Sequence, residues 1–308
     1  MMAWNESRHR EAGIDVIVRF HDAARLMELE RAVFSLAGQF FRPLRILLVT
    51  QRFSAAEVEA TLAALAGIVA VSEVGFQHVN LTWAHPEDAR SDLVNLGFAA
   101  ATGRYVALLD YDDVLYPQAH ALLTARLAAT GAGIAFARTP NMVADMYPAF
   151  LHGRSQANPY PGRWVGDLFF SNFCPPHSYA IDRTRVPENC LRFESMLTIE
   201  EDYEFLIRIC AAAIADFGLL DTEVGLRIIK TDGSNTYASA GPKTAEVLRR
   251  AAIAQSFVEA RRQVTVIAPE VQHCLGMADY VPGLTVRQWL DTYRAAARTA
   301  EPAGGGGA

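Results

Sequence analysis

Two hydrophobic patterns alternate along the chain. Short runs that are apolar throughout are separated by longer stretches with apolar residues three and four apart. Residues 14–18 (Ile-Asp-Val-Ile-Val) predict a strand buried on both faces. Leu26, Leu29, Val33, Phe34 and Ala37 then fall at helical spacing until Pro43 stops the segment. Residues 44–49 predict a second buried strand, 54–66 a helix, 68–84 one or two strands, and 90–102 a helix with Gly103 as its C-cap. Residues 105–109 predict a further buried strand. Pro117 and Gln118 open a helix that ends near Gly131, and 133–137 predict a strand. Strands alternating with helices in this way predict an α/β fold with a mostly parallel central sheet.

The rhythm breaks over 139–176, where Pro140, Pro148, Pro159, Pro161, Pro175 and Pro176 sit among many aromatics. That composition predicts irregular loops lying over a site. Beyond it, 177–182 predict a strand, 198–214 a helix, 224–229 a strand, 243–262 a long helix and 285–297 a short one. The Gly-rich tail 303–308 reads as a flexible end. The expected organisation is a main α/β domain over 1–237, a C-terminal helical extension over 238–302, and the tail.

Composition narrows the chemistry. The chain has 308 residues, half of them hydrophobic, which suffices for a full core. Lys and Arg number 28 against 34 Asp and Glu, a net charge of −6, so no basic face for nucleic acid is implied. Cys174, Cys190, Cys210 and Cys274 lack metal-ligand spacing and read as free thiols of a reducing cytoplasm. No apolar run approaches the roughly 20 residues that span a bilayer.

The candidate chemistry centres on an acidic turn, Leu109-Asp110-Tyr111-Asp112-Asp113, directly after a buried strand. Ligands of open parallel sheets bind beyond the carboxyl ends of strands. An Asp-x-Asp there suits Mg²⁺ or Mn²⁺ with phosphate oxygens completing the shell. The competing local reading is a turn whose Asp113 caps the next helix. A second acidic group, Glu200-Glu201-Asp202, opens the helix over 198–214. Thr198 and Glu201 fit a capping box, which gives Glu201 a local role and leaves Asp202 over. A carboxylate in a first helical turn is favoured in its ionised form and can accept a proton from a hydroxyl. A surface aspartate answering the helix dipole is the bland alternative. Gly131-Ala-Gly133 follows a helix and precedes a strand, the wrong order for a dinucleotide fingerprint.

Taken together, these segments resemble the inverting family 2 glycosyltransferases, which have the GT-A fold. The resemblance runs over about 13–237. Residues 16–22 (Val-Ile-Val-Arg-Phe-His-Asp) match the family's opening strand. Residues 91–105, with Asn95, Gly97 and Gly103-Arg-Tyr105, match its helix and the strand that follows. Residues 108–113 match its Asp-x-Asp-Asp, Pro176-His177-Ser178 its acceptor side, and Glu201-Asp202-Tyr203 its Glu-Asp motif. The resemblance implies a nucleoside diphosphate sugar as donor, a saccharide or lipid-linked saccharide as acceptor, and Mg²⁺ or Mn²⁺ as cofactor. It places Asp202 as catalytic base and Asp112, with Asp110, at the metal. It places Arg19, Phe20, Asp22, Gln51, Asn95, Asp110 and Tyr111 around the donor nucleotide. The setting it implies is bacterial polysaccharide or glycoconjugate assembly in the cytoplasm, at most in peripheral contact with the inner face of the membrane. The basic residues Arg249, Arg250, Arg261 and Arg262 bear on that contact, although packing against the main domain is the stronger reading of their mixed-charge helix.

The chain departs from the family at three points. Val49-Thr50-Gln51-Arg52 stands where the family has Val-Asp-Asp-Gly-Ser, so the base-reading carboxylate is missing. Arg19 replaces the usual Pro. Residues 227–236 lack the usual His, a third metal ligand. These departures keep open a catalytically silent nucleotide-binding or assembly module. A nucleotidyltransferase would need a Gly-rich phosphate loop after the first strand, and 19–25 contain no glycine.

Overall fold

The computed structural model describes residues 5–147, 150–159, 161–233 and 245–300. The elements in order are α1 (Glu6–Ala12), β1 (Ile14–Phe20), α2 (Leu26–Ala37), β2 (Leu44–Gln51), α3 (Ala55–Ala70), β3 (Gly75–Leu81), α4 (Arg90–Ala100), β4 (Tyr105–Asp110), β5 (Val114–Leu115), α5 (Ala119–Thr130), β6 (Ile134–Arg138), β7 (Asn141–Met146), β8 (Leu151–Ala157), α6 (Val165–Phe170), β9 (Tyr179–Asp182), α7 (Glu201–Ala212), β10 (Ala215–Glu223), β11 (Gly225–Lys230), α8 (Ala245–Val264), α9 (Pro269–Cys274) and α10 (Val286–Ala300).

The central sheet has the order β10-β6-β9-β4-β1-β2-β3. Six strands run one way and β9 runs against them, paired antiparallel to both β4 and β6. The apolar runs supply both faces at once because side chains alternate along a strand. In β1, Ile14, Val16, Val18 and Phe20 enter one core layer with Leu29, Leu36, Leu65 and Leu123 from α2, α3 and α5. Ile17 enters the opposite layer with Leu93, Phe98, Phe205 and Leu206 from α4 and α7. Helices therefore cover both faces, the arrangement expected for an α/β protein with a mostly parallel sheet. Gly97 lets α4 approach β1: a Cβ there would lie 2.4 Å from Ile17 Cγ2.

Three expectations are corrected. The stretch 139–176 is not all loop, because β7 and β8 join β5 and β11 in a second sheet of order β5-β11-β7-β8, followed by α6. Pro140, Pro159 and Pro161 lie outside these strands, where a missing N–H breaks no ladder. The stretch 68–84 holds one strand, within the expected one or two, because α3 continues to Ala70. Strand β10, parallel to β6, was not anticipated; its pairing register shifts twice, which removes a regular period. The capping box at Thr198 does not form. Glu200, at φ 62, precedes α7, and Glu201 is its first residue.

The C-terminal helices dock on the main core. Val258, Ile267, Val271, Val286, Trp289 and Leu290 are buried in the same layer as Phe169 and Phe205. Arg262 donates to the Phe170 carbonyl and the Tyr203 hydroxyl, and Arg261 pairs with Glu204 at 2.6 Å. The 237/238 boundary and the 303–308 tail lie outside the described residues. Among the described residues no helix is long and apolar enough to cross a membrane.

Candidate active site

The acidic turn hangs from the carboxyl end of β4, beside the end of β1, and Arg19 is paired in register with Asp110. Arg19 Nε and Nη2 donate to the two Asp110 oxygens at 2.7 and 3.3 Å. Its third nitrogen, Nη1, donates to Glu201 Oε1 at 3.0 Å. One guanidinium thus ties β1, the acidic turn and the start of α7 together. Glu201 is only 5% exposed, so this is a buried link. Local sequence assigned Glu201 to a cap; its partner is 182 positions away.

Asp202, next in α7, faces the same region. Its Oδ1 accepts from the Tyr203 N–H at 2.8 Å and its Oδ2 from Asn172 Nδ2 at 3.3 Å. A carboxylate in a first helical turn was expected to ionise readily. Burial outweighs the dipole here: desolvation, then the charges of Glu201 and Glu200, push Asp202 up to about 7, while Arg19 and the Tyr203 N–H pull the other way. A group with that proton affinity matches the requirement for a general base near neutrality.

Asp112 is differently placed. Its Oδ2 lies 2.9 Å from Lys230 Nζ, which also lies 2.9 Å from Glu28 Oε2. Lys230 comes from β11 and is buried, and Glu28 is held from its other side by Arg25 Nη1 at 2.9 Å. Arg31 Nη2 reaches the Asp112 carbonyl at 3.4 Å. Asp113 does not cap a helix, since α5 begins only at Ala119. It is buried, accepts from the Ile228 N–H at 2.7 Å and lies 3.2 Å from His177 Nδ1. Desolvation and the neighbouring Asp112 and Asp110 push its carboxyl far above the usual range, toward the protonated form. Burial likewise lowers His177 to about 4, which keeps it neutral.

A Mg²⁺ or Mn²⁺ at this turn would need the carboxylates of Asp110 and Asp112, and both already hold a protein cation. Among the described residues no group of three His, Cys, Asp or Glu side chains is placed to hold a metal ion. The residues in this arrangement do not fit a metal site.

The other predicted donor residues divide into two sets. Phe20 is buried under Tyr111, ring centroids 5.2 Å apart, and Tyr111 also meets His21 edge-on. Asp22 accepts from the Ala24 N–H and pairs with Arg25 at 3.2 Å. These three share the neighbourhood of the acidic turn. Gln51 instead holds the 82–89 loop, donating to the Glu87 carbonyl at 2.6 Å and accepting from the Ala89 N–H. Asn95 is engaged at both ends of its amide by the Phe193 backbone, at 3.0 and 2.7 Å. Sequence reading missed Glu28, Asn172 and Lys230; no local signal marks them, because each acts through a partner distant in the chain.

Beyond the ends of β6 and β10 lies a cavity of about 520 Å³, lined by Arg138, Thr139, Asn158, Phe173, Phe217 and Asp221 among others. It occupies the same edge of the sheet as the acidic turn, two strands away across β9, or about 10 Å. Thr139 Oγ1 is buried there with no hydrogen-bond partner.

No protein-family model matches the chain. No curated protein matches it either. Solved structures do match, in fold. TarS 1–349 of S. aureus superposes with a TM-score of 0.60 at 12% identity, covering 93% of this chain and 73% of that one. The same protein with UDP-GlcNAc gives 0.58 at 13% identity, covering 83% and 68%. The mannosyltransferase PcManGT of Pyrobaculum calidifontis, with GDP-Man and Mn²⁺, gives 0.52 at 14% identity, covering 94% and 81%. The chain therefore has the GT-A-like α/β fold of these proteins.

Proposed function

We propose that this chain is an inverting glycosyltransferase that moves a sugar from a nucleoside diphosphate sugar to an acceptor hydroxyl. The observation that carries the reading is the placement of Asp202. It stands at the carboxyl edge of the sheet, coupled through Glu201 and Arg19 to the acidic turn, with a proton affinity near neutrality. The fold likeness supports the donor class, since TarS was solved with UDP-GlcNAc and PcManGT with GDP-Man.

The step assigned to these residues is a single displacement. The acceptor oxygen bonds to the anomeric carbon as the carbon–oxygen bond to the diphosphate breaks. The nucleoside diphosphate leaves with the electron pair, and the acceptor proton passes to Asp202. One displacement inverts the anomeric centre and needs no nucleophilic side chain. Phe20, Tyr111 and Asp22 border the donor nucleotide in this reading. The acceptor lies toward the cavity beyond β6 and β10, because Phe173 of its wall follows Asn172, which hydrogen-bonds Asp202. The setting is bacterial polysaccharide or glycoconjugate assembly.

The test is a thermal-shift screen of UDP, GDP, CDP, ADP and dTDP on the full chain, followed by turnover of the matching nucleotide sugars. Ligand at 100 times its dissociation constant stabilises the folded state by about 2.7 kcal/mol, which is readily seen as a shifted melting temperature. At least one nucleotide should shift the melt, and release of that diphosphate should stop in Asp202→Asn. No shift with any nucleotide, or undiminished release in the variant, removes the proposal.

A further inference from the structure

We propose that Lys230 does at Asp112 what a divalent cation would otherwise do, so that the donor diphosphate is received without metal. The inference rests on the donor reading above and concerns how charge is balanced at that site.

Three observations carry it. Lys230 Nζ lies 2.9 Å from Asp112 Oδ2, within direct ion-pair distance, on the carboxylate where a metal is expected. The ammonium is fixed there, because it is also 2.9 Å from the buried Glu28, its side chain is 1% exposed, and it projects from β11, which pairs with both β5 and β7. Moving the ammonium out to solvent would break the Glu28 contact. Asp110, the second carboxylate, is held on both oxygens by Arg19. A dication would have to enter beside a buried ammonium and compete with a two-pronged guanidinium, and like charges at such separations repel strongly in a partly dry site.

Sequence and geometry agree on this point. The segment that ends β11 lacks the His that would be a third metal ligand, and it supplies Lys230 instead. Arg19 and Lys230 thus pair with the Asp110 and Asp112 carboxylates, and Arg31 reaches the Asp112 carbonyl. Fixed cations can stabilise a leaving diphosphate by standing where its charge develops, with no reorganisation during the step.

The experiment is calorimetric titration of the full chain with the nucleoside diphosphate identified by the screen, in EDTA and then with Mn²⁺, alongside EPR of Mn²⁺ added to protein and nucleotide. Wild type should bind the nucleotide equally well in both buffers, within about threefold, and the EPR signal should remain that of nucleotide-bound or free Mn²⁺ with no protein-bound species. Lys230→Ala leaves Asp112 uncompensated, so it should bind the nucleotide more than about tenfold weaker in EDTA and recover on adding Mn²⁺. Where Lys230→Ala does not fold, Lys230→His tests the same point, because it restores a metal ligand and should bring out a protein-bound Mn²⁺ signal. A tenfold or greater gain of wild-type affinity with Mn²⁺, or a stoichiometric protein-bound Mn²⁺ in wild type, overturns the inference while leaving glycosyl transfer in place. Absence of nucleotide binding in both buffers overturns the donor reading, and this inference with it.

Discussion

Replacing Asp202 by Asn should make the protein more stable while stopping its chemistry. The carboxyl titrates at about 7 in the fold against an ordinary value of 3.8. Between those limits the folded chain holds a proton that the unfolded chain has released, so stability falls as pH rises from about 4 to about 7. At 1.36 kcal/mol per pH unit the full gap corresponds to about 4 kcal/mol. Asp202 is only partly covered, and screening by solvent reduces this to about 1–2 kcal/mol. Asn removes the titration and keeps an oxygen to accept from the Tyr203 N–H. Urea unfolding at about pH 4 and about pH 8 reads the effect. The variant should match wild type at the lower pH and exceed it by about 1–2 kcal/mol at the higher one. Transfer should fall by about 10²–10⁴, the range for loss of a general base. A variant equally destabilised at both pH values would refute the argument, because it would mean that the carboxylate is structurally needed and its raised proton affinity is not expressed.

Three further outcomes are expected. Glu201→Gln removes the largest charge that raises Asp202 and leaves an acceptor for Arg19, so the acid limb of the pH–rate profile should move to lower pH; an unmoved limb would disconnect Glu201 from the base. Asp15→Asn should cost about 3–5 kcal/mol in urea unfolding, because the buried carboxylate accepts from His9, Arg45 and the Thr102 and Gly103 N–H groups. These partners lower Asp15 to about 2, so wild-type stability from this group is lost as pH falls from about 4 through about 2, and the difference from the variant should close there. Gly97→Ala should lower the melting temperature by an amount equivalent to about 1–3 kcal/mol, since its Cβ would meet Ile17 at 2.4 Å; an unchanged melt would mean that α4 can move away from β1 at no cost.

The sheet was legible because its signal is local. Apolar runs such as 14–18 and 44–49 leave no face for solvent, and a strand between two helical layers is the element that uses them. The elements that escaped lack that signal. Strand β10 carries Gly218 and shifts register at Leu219, so neither face reads as continuous. Strand β7 is half-buried, β8 is almost wholly exposed, and both are framed by prolines, which by composition suggest a loop. Helix α1 is seven residues long and buries mainly His9, whose Nε2 meets Asp15 at 2.9 Å. That contact answers why an Asp stands inside the first buried run, a question the run alone does not raise.

The site divides along the same line. Its positions were readable where chain direction sets them: a turn at the carboxyl end of β4 faces the ligand side whatever its side chains contact. Its pairings were not readable, because each joins groups far apart in sequence. Glu201 had a sufficient local explanation as a helix cap, and that explanation hid its contact with Arg19. Arg19 looked like a departure at the end of β1, yet its guanidinium fits three carboxylate oxygens at once. Lys230 likewise had meaning only as the absence of a histidine, until β11 set its ammonium between Glu28 and Asp112. Buried charge is tolerated when paired, and Arg19, Glu201 and Lys230 were each half of a pair whose other half the topology supplied. Asp202 is the contrasting case: burial first, then the charges of Glu201 and Glu200, raise its proton affinity, and Arg19, which pulls the other way, is already committed to Glu201 and Asp110.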